Sequence, residues 1–169
     1  MKEYTTEFIR NVALVSHGSA GKTMLAEAFL HFTGATTRLG KIEDGTTASD
    51  YDEEEVRRKL SLYTSVLPVE FRDHKINLLD APGYTDFVGE MISALSVADG
   101  AVILVDAVGG VEVGTELAYR TAADLGLPRF FVINKMDRDN ANFEETYASI
   151  AEFVRARGKR ALQVHLPIG

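Results

Sequence analysis

Four short runs, Asn11–Ser16 (NVALVS), Ile76–Asp80 (INLLD), Ala101–Asp106 (AVILVD) and Arg129–Asn134 (RFFVIN), are apolar almost without interruption. A strand with one face in water alternates apolar and polar residues, whereas a strand covered on both faces does not. The four runs therefore read as buried strands of a parallel sheet. Thr64–Arg72 alternates and follows a polar loop, which suits an antiparallel or edge strand. Between them, apolar residues recur at three- and four-residue spacing: Leu25, Phe29 and Phe32; Val88, Met91, Ile92 and Leu95; Leu117, Thr121, Ala122 and Leu125; Phe143, Tyr147, Ile150 and Val154. Such stripes belong to helices packing on a sheet through those residues. The alternation predicts a doubly wound α/β fold, mostly parallel with helices on both faces. Its ligand crevice is expected at the carboxyl ends of the strands.

The polar residues at those strand ends carry the chemistry. Ser16-His17-Gly18-Ser19-Ala20-Gly21-Lys22-Thr23 follows the first strand and opens the first helix, the context that a phosphate-binding loop requires. In such a loop successive backbone N–H groups curl around a β-phosphate, aided by the positive end of the helix. Gly21 lets the backbone come close, Lys22 neutralises the β- and γ-phosphates, and the Thr23 hydroxyl is a ligand for Mg²⁺. The strict pattern begins with glycine, and Ser16 stands there instead. Asp80-Ala81-Pro82-Gly83 ends another strand. Asp80 there can reach the metal through a water, and the Gly83 N–H can donate to a γ-phosphate, although Pro-Gly also marks ordinary turns. Asn134-Lys135-Met136-Asp137 ends a third. The Asp137 carboxylate can accept from both the ring N–H and the exocyclic amine of guanine, a pair that adenine does not offer. Asn134 can brace the loop and the Lys135 stem can cover the base. Three such motifs in this order predict binding of GTP or GDP with Mg²⁺; a P-loop ATPase would require Asp137 to be incidental.

Composition narrows the setting. A chain of 169 residues suffices for one compact domain, and its formal charge of −7 disfavours a basic nucleic-acid grip. No DNA-reading role is expected, and the chain reads as a monomer. It contains no cysteine, so disulfides and thiolate metal sites are excluded. The start of the chain lacks the apolar core of a signal peptide, and no apolar run approaches the roughly 18 residues of a membrane span. A cytoplasmic protein without membrane contact is expected. Gly34–Leu60 has no period and carries the acidic residues Asp50, Asp52, Glu53, Glu54 and Glu55. These read as a solvated face, or as a loop that a partner organises. His31, His74 and His165 have no partner pattern and read as structural or surface residues.

Taken together, His17–Thr23, Asp80–Phe87 (DAPGYTDF), Val105–Val111 (VDAVGGV) and Asn134–Arg138 (NKMDR) resemble the G domain of elongation factor G, from about Glu7 onward. Release factor 3 and the ribosomal-protection proteins share the general pattern; the Gly-Gly-Val stretch and Met136 lean towards elongation factor G. The resemblance implies a P-loop GTPase G domain whose parent factor works on the ribosome. It also implies two switch loops, 34–62 and 80–92, held by GTP and relaxed on hydrolysis. Ser61 takes the place of a threonine that touches Mg²⁺ and the γ-phosphate. Tyr84 stands where a histidine usually orients the attacking water, which makes Tyr84, Lys22 and Gly83 the candidate catalytic residues. With a reference pKa of about 10, tyrosine cannot become a cation at neutral pH. Slowed hydrolysis, or a GTP-gated binder that hydrolyses little, is implied. Ser19 replaces an aspartate that helps to hold a monovalent cation in relatives. The family's later base-contacting Ser-Ala motif does not follow Asp137, and Leu166–Gly169 resembles the text where an inserted subdomain begins, here 160–169. By that resemblance the chain is an amino-terminal piece of a longer factor, truncated before the last base-contacting motif.

Overall fold

The structure is a computed structural model and describes residues 2–168, so Gly169, the end of the expected 160–169 subdomain start, lies outside the described residues. Along the chain run β1 (Ile9–Ser16), α1 (Lys22–Phe32), α2 (Glu53–Arg58), β2 (Ser65–Phe71), β3 (His74–Asp80), α3 (Val88–Ser96), β4 (Gly100–Asp106), α4 (Val113–Asp124), β5 (Arg129–Asn134) and α5 (Phe143–Arg155). The sheet has the order β2-β3-β1-β4-β5, with β2 antiparallel to β3 and the rest parallel. The expected doubly wound fold is present, and the four apolar runs are its parallel strands. Pro68 cannot donate to a ladder, which confines β2 to the edge. Arg72 and Asp73, both at positive φ, make the two-residue turn that joins β2 to β3.

Alternate side chains of the inner strands feed two cores. Ala13 and Val15 of β1, Leu79 of β3 and Ile103 and Val105 of β4 pack with α3, α4 and α5 on one face. Leu14, Leu78, Leu67 and Val69 pack with Ala26 and Leu30 of α1 on the other. Covered on both sides, Leu14 and Ile103 are fully buried, which is why their strands show no alternation.

The helices lie where the spacing puts them, but the α1 stripe is not the buried face, and the α4 stripe is buried only in part. In α1 the inner face is Lys22, Thr23, Ala26, Glu27 and Leu30. Phe29 and Phe32 are 39% and 76% exposed, with Phe32 resting against Phe71 at a ring separation of 6.2 Å. The rotation of α1 is set at its first turn: Lys22 and Thr23 face the strand ends, so residues in line with them face the sheet. In α4, Gly114, Thr115, Ala118, Tyr119 and Ala122 are buried, while Leu125 is 46% exposed. Small residues let that helix lie close to the sheet, with Tyr119 buried among them and Leu117 packed at the edge of the core. Among the described residues no helix is long and apolar enough to cross a membrane.

This difference can be measured. Leu30→Ala is expected to lower unfolding free energy by about 3 kcal/mol, as for buried leucines generally. Phe32→Ala is expected to cost less than about 1 kcal/mol despite the larger side chain. Urea unfolding of the two variants would reverse the α1 assignment if Phe32→Ala proved the more damaging.

Candidate functional site

The turns that leave β1, β3 and β5 meet at the carboxyl edge of the sheet. The first is the loop between Ser16 and Lys22. Ser19 and Gly21 lie in the left-handed region, at φ 63° and 93°. A Cβ at Gly21 would stand 2.5 Å from the Asn134 side-chain nitrogen, so glycine is required there for space as well as for conformation. Ser16 is buried; its hydroxyl donates to the His17 carbonyl at 2.5 Å and accepts from Lys22 Nζ at 2.8 Å. The departure from glycine at position 16 thus supplies an acceptor for the lysine. Burial pushes the Lys22 ammonium down to about 8, against the pull of Asp80 and Asp50.

His17, beside it, anchors the loop sideways. Its Nδ1 accepts from the Gly114 N–H at 3.3 Å, and its Nε2 lies 3.6 Å from a Glu112 carboxylate oxygen. A Cβ on Gly114 would stand 2.6 Å from His17 Cα, so the start of α4 needs a glycine to come this near. Neither Glu112 nor Gly114 carries a sequence signal, because the contact spans almost a hundred residues of chain.

Beneath the loop four oxygen-bearing side chains converge. Thr23 Oγ1 donates to Asp80 Oδ2 at 2.9 Å, Ser61 Oγ donates to Asp50 Oδ1 at 2.7 Å, and the two hydroxyl oxygens lie 3.3 Å apart. Asp80 Oδ1 and Asp50 Oδ2 are buried without a hydrogen-bond partner. Burial raises the Asp80 carboxyl to about 6, with Lys22 and Thr23 opposing, and burial also raises Asp50. Hydroxyls and under-satisfied carboxylates are hard oxygen donors of the kind that suits Mg²⁺, an ion that keeps waters and uses one or two carboxylates with substrate phosphates. Among the described residues no three His, Asp or Glu side chains form a metal cage by themselves, which agrees with that mode and not with an all-protein site.

Sequence reasoning misses Asp50 as a site residue, since the acidic cluster reads as a solvated face. The structure corrects this for Asp50 and Glu55, which are 4% and 2% exposed. Glu55 accepts from the N–H groups of Leu62 and Tyr63 at 2.9 and 3.1 Å and closes a capping box with Asp52 at the start of α2. Glu27 of α1, equally buried, accepts from the N–H groups of Gly40 and Ala48 at 2.8 and 2.5 Å. Glu27 therefore ties segment 34–62 to the domain through its backbone, and Glu55 braces the end of that segment from within. The D-x-x-E spacing of the capping box is a signal that the sequence contains; Glu27 has none, because a glutamate within a helix usually faces water.

The turn after β3 lies directly on the phosphate loop. A Cβ at Gly83 would stand 2.8 Å from the His17 carbonyl oxygen and 3.0 Å from Gly18 Cα. Tyr84, half-exposed, brings its hydroxyl to 3.3 Å from Ser19 Oγ. From β5, Asn134 donates to the Ala20 carbonyl at 2.9 Å and Lys135, at φ 61°, donates to that of Ser19. Lys135 also pairs with Asp106 at 2.9 Å. Burial opposes ionisation of Asp106, but Lys135 and the Val108 and Gly109 amides outweigh it and hold its carboxyl low. Asp137 is exposed at the open end of this loop. All the sequence-derived residues, from Ser16 to Thr23 and at Ser61, Asp80, Gly83, Tyr84, Asn134, Lys135 and Asp137, lie on the loops of this one edge. A separate concavity lies between β5, α5 and the extended 159–167 segment, and is lined by apolar side chains such as Phe130, Ile133 and Tyr147.

A lysine loop clamped to an Asn-Lys-x-Asp turn, above hydroxyls and carboxylates gathered from two other segments, marks the P-loop class of GTP-binding domains. Residues 7–166 match the family described as elongation factor Tu GTP binding domain, and the chain belongs to that family. It is 38% identical to an elongation factor G of Dehalococcoides mccartyi, covering 99% of this chain and 24% of the relative. It is 36% identical to a mitochondrial ribosome-releasing factor 2 of Scheffersomyces stipitis, covering 93% of this chain and 19% of that one. A crystal structure from Thermus thermophilus superposes with a TM-score of 0.82 at 46% identity, over 89% of this chain and 22% of that one. The chain thus spans about a quarter of the length of the elongation factor G it matches.

Removing the Glu27 carboxylate leaves two amides without their acceptor. Glu27→Ala is expected to destabilise the domain by about 2 to 3 kcal/mol. Amide exchange should accelerate first at Gly40 and Ala48; uniform acceleration across the sheet instead would mean that Glu27 acts through the core and not through the loop.

Proposed function

We propose that this chain is the GTP-hydrolysing domain of a ribosome-associated translation factor that acts in translocation or a related step. The observation that carries the reading is the clamp between phosphate loop and base loop, made by Asn134 and Lys135. It ties the groups proposed to hold the phosphates to the turn proposed to select guanine through Asp137. Backbone N–H groups from Ser16 to Gly21 and the Lys22 ammonium bind the phosphates. Thr23, Ser61 and Asp80, with Asp50 beside Ser61, hold Mg²⁺, which when bound offsets the charge on the β- and γ-phosphates. Segments 34–62 and 80–92 are the switch loops, and 160–169 leads into an inserted subdomain of a longer cytoplasmic, monomeric factor.

Hydrolysis forms a bond from a water oxygen to the γ-phosphorus and breaks the bond from that phosphorus to the β–γ bridging oxygen. Phosphoryl transfer depends on positioning and charge stabilisation more than on covalent help from the protein. Lys22 and the Gly83 N–H stabilise the transferring group, and Tyr84 stands on the side of the attacking water. A second reading is a weakly hydrolysing GTP-gated ribosome-binding or regulatory factor, or a ribosomal-protection protein of the same family; tyrosine at position 84, where a histidine is usual, motivates the weak hydrolysis.

GTP turnover by the native full-length protein, with and without ribosomes, decides between them. Strong stimulation is expected on the first reading; tight GTP binding without stimulated turnover would replace it by the second. Asp137→Ala is expected to weaken GTP binding about 100-fold and to narrow the preference over ATP, since the guanine N–H pair loses its acceptor. Asp50→Ala is expected to raise the Mg²⁺ concentration needed for half-maximal nucleotide binding about tenfold, as for loss of a residue that orients a ligand. An unchanged Mg²⁺ requirement would remove Asp50 from the site.

A further inference from the structure

Gly18 has an ordinary backbone conformation, outside the left-handed region, so its φ and ψ do not require glycine. Its need for glycine is spatial. A Cβ there would meet three atoms of the Tyr84 ring at 3.0 to 3.2 Å, and these are its three nearest neighbours. Contacts that tight require the ring to give by a few tenths of an ångström, and Tyr84, 43% exposed, has room to do so on its outer side. At the far end of the same ring the hydroxyl lies 3.3 Å from Ser19 Oγ. Consecutive loop residues thus meet two ends of one side chain: Gly18 makes space for the ring and Ser19 faces the hydroxyl.

The residue before Tyr84 is Gly83, whose backbone lies against the His17 carbonyl and Gly18 Cα. The residues after it, Thr85–Phe87, make a single 3-10 turn that runs into α3. Tyr84 is therefore the side chain that pins the first turn of this segment to the phosphate loop. We infer that Gly18 and Ser19 form a seat for tyrosine at position 84. By occupying it, Tyr84 acts as a positioning residue, holding the Gly83 N–H where it meets the γ-phosphate. This deepens the proposed function and rests on that reading of Gly83. A ring seated on one loop residue and hydrogen-bonded to the next holds its place by contact and not by charge.

The seat couples two positions, and coupling is what the test reads. In the native full-length protein labelled with 3-fluorotyrosine, the Tyr84 resonance is assigned by its loss in Tyr84→Phe. It is expected to shift on Gly18→Ala. In the same variant, ribosome-stimulated kcat for GTP is expected to fall about tenfold, with a smaller change in KM. Most of that loss should disappear when Gly18→Ala is made in a Tyr84→Ala background, where no ring remains to be displaced. An unmoved resonance, or a Gly18→Ala cost that is the same in both backgrounds, would overturn the seat. A native protein that binds GTP without any stimulated turnover would instead overturn the hydrolytic reading, and the resonance would still decide whether the seat exists.

Discussion

The site is organised around charges that are buried but not paired. Lys22 and Asp80 both lie out of water, yet Lys22 donates to Ser16 and Asp80 accepts from Thr23. Each keeps its hydrogen bond to a neutral hydroxyl, and the direct ion pair is not made. Taking an ion out of water costs several kcal/mol, and a neutral partner offsets only part of that. The shifts follow in the expected directions: the ammonium is pushed down and the carboxyl up, both by desolvation. An ammonium beside an anion-binding loop and a carboxylate with one unsatisfied oxygen are the complements of a phosphate and a cation. The desolvation that disfavours each charge alone also favours a partner of opposite sign beside it.

That arrangement needs a rigid frame. Parallel pairing of β1 with β3 on one side and β4 on the other puts three chain turns at a common edge. Thr23 and Asp80 can then meet although 57 residues separate them. On the same principle the phosphate loop is fixed from three directions by long-range contacts: Asn134 and Lys135 from β5, Gly114 from α4, and Gly83 from the turn after β3. Segment 34–62, which has no strand to hold it, is tied to α1 by the buried Glu27 and braced internally by the buried Glu55, both of which accept backbone amides. Such carboxylates satisfy loop N–H groups without requiring the loop to be regular.

Sheet and loops are legible in the sequence because their signals are local. Apolar runs mark buried strands wherever they occur, and a phosphate loop is defined by its own eight residues and the elements that flank it. The buried face of α1 escapes such a reading for a different reason. Leu25, Phe29 and Phe32 make a convincing stripe, but the inner face of α1 begins with Lys22 and Thr23, whose burial hydropathy does not register. Asp50 and Glu55 are hidden inside an acidic run that reads as solvated. A sequence cannot distinguish a carboxylate facing water from one facing amides or hydroxyls brought in from elsewhere in the chain.

The same distinction governs the unusual text of the phosphate loop. Taken one at a time, Ser19 and Tyr84 look like two separate departures, each of which weakens the family resemblance, and Gly18 looks like one more loop glycine. In space the three touch, and they become mutually dependent. A ring at position 84 lies closest to the loop when residue 18 has no Cβ, and its hydroxyl finds a short polar partner at 19. A bulkier or charged residue at any one of these positions would disturb the other two. The set therefore constitutes one local solution to the problem of holding the turn after β3 against the phosphate loop, and Tyr84 is intelligible only together with the residues beneath it.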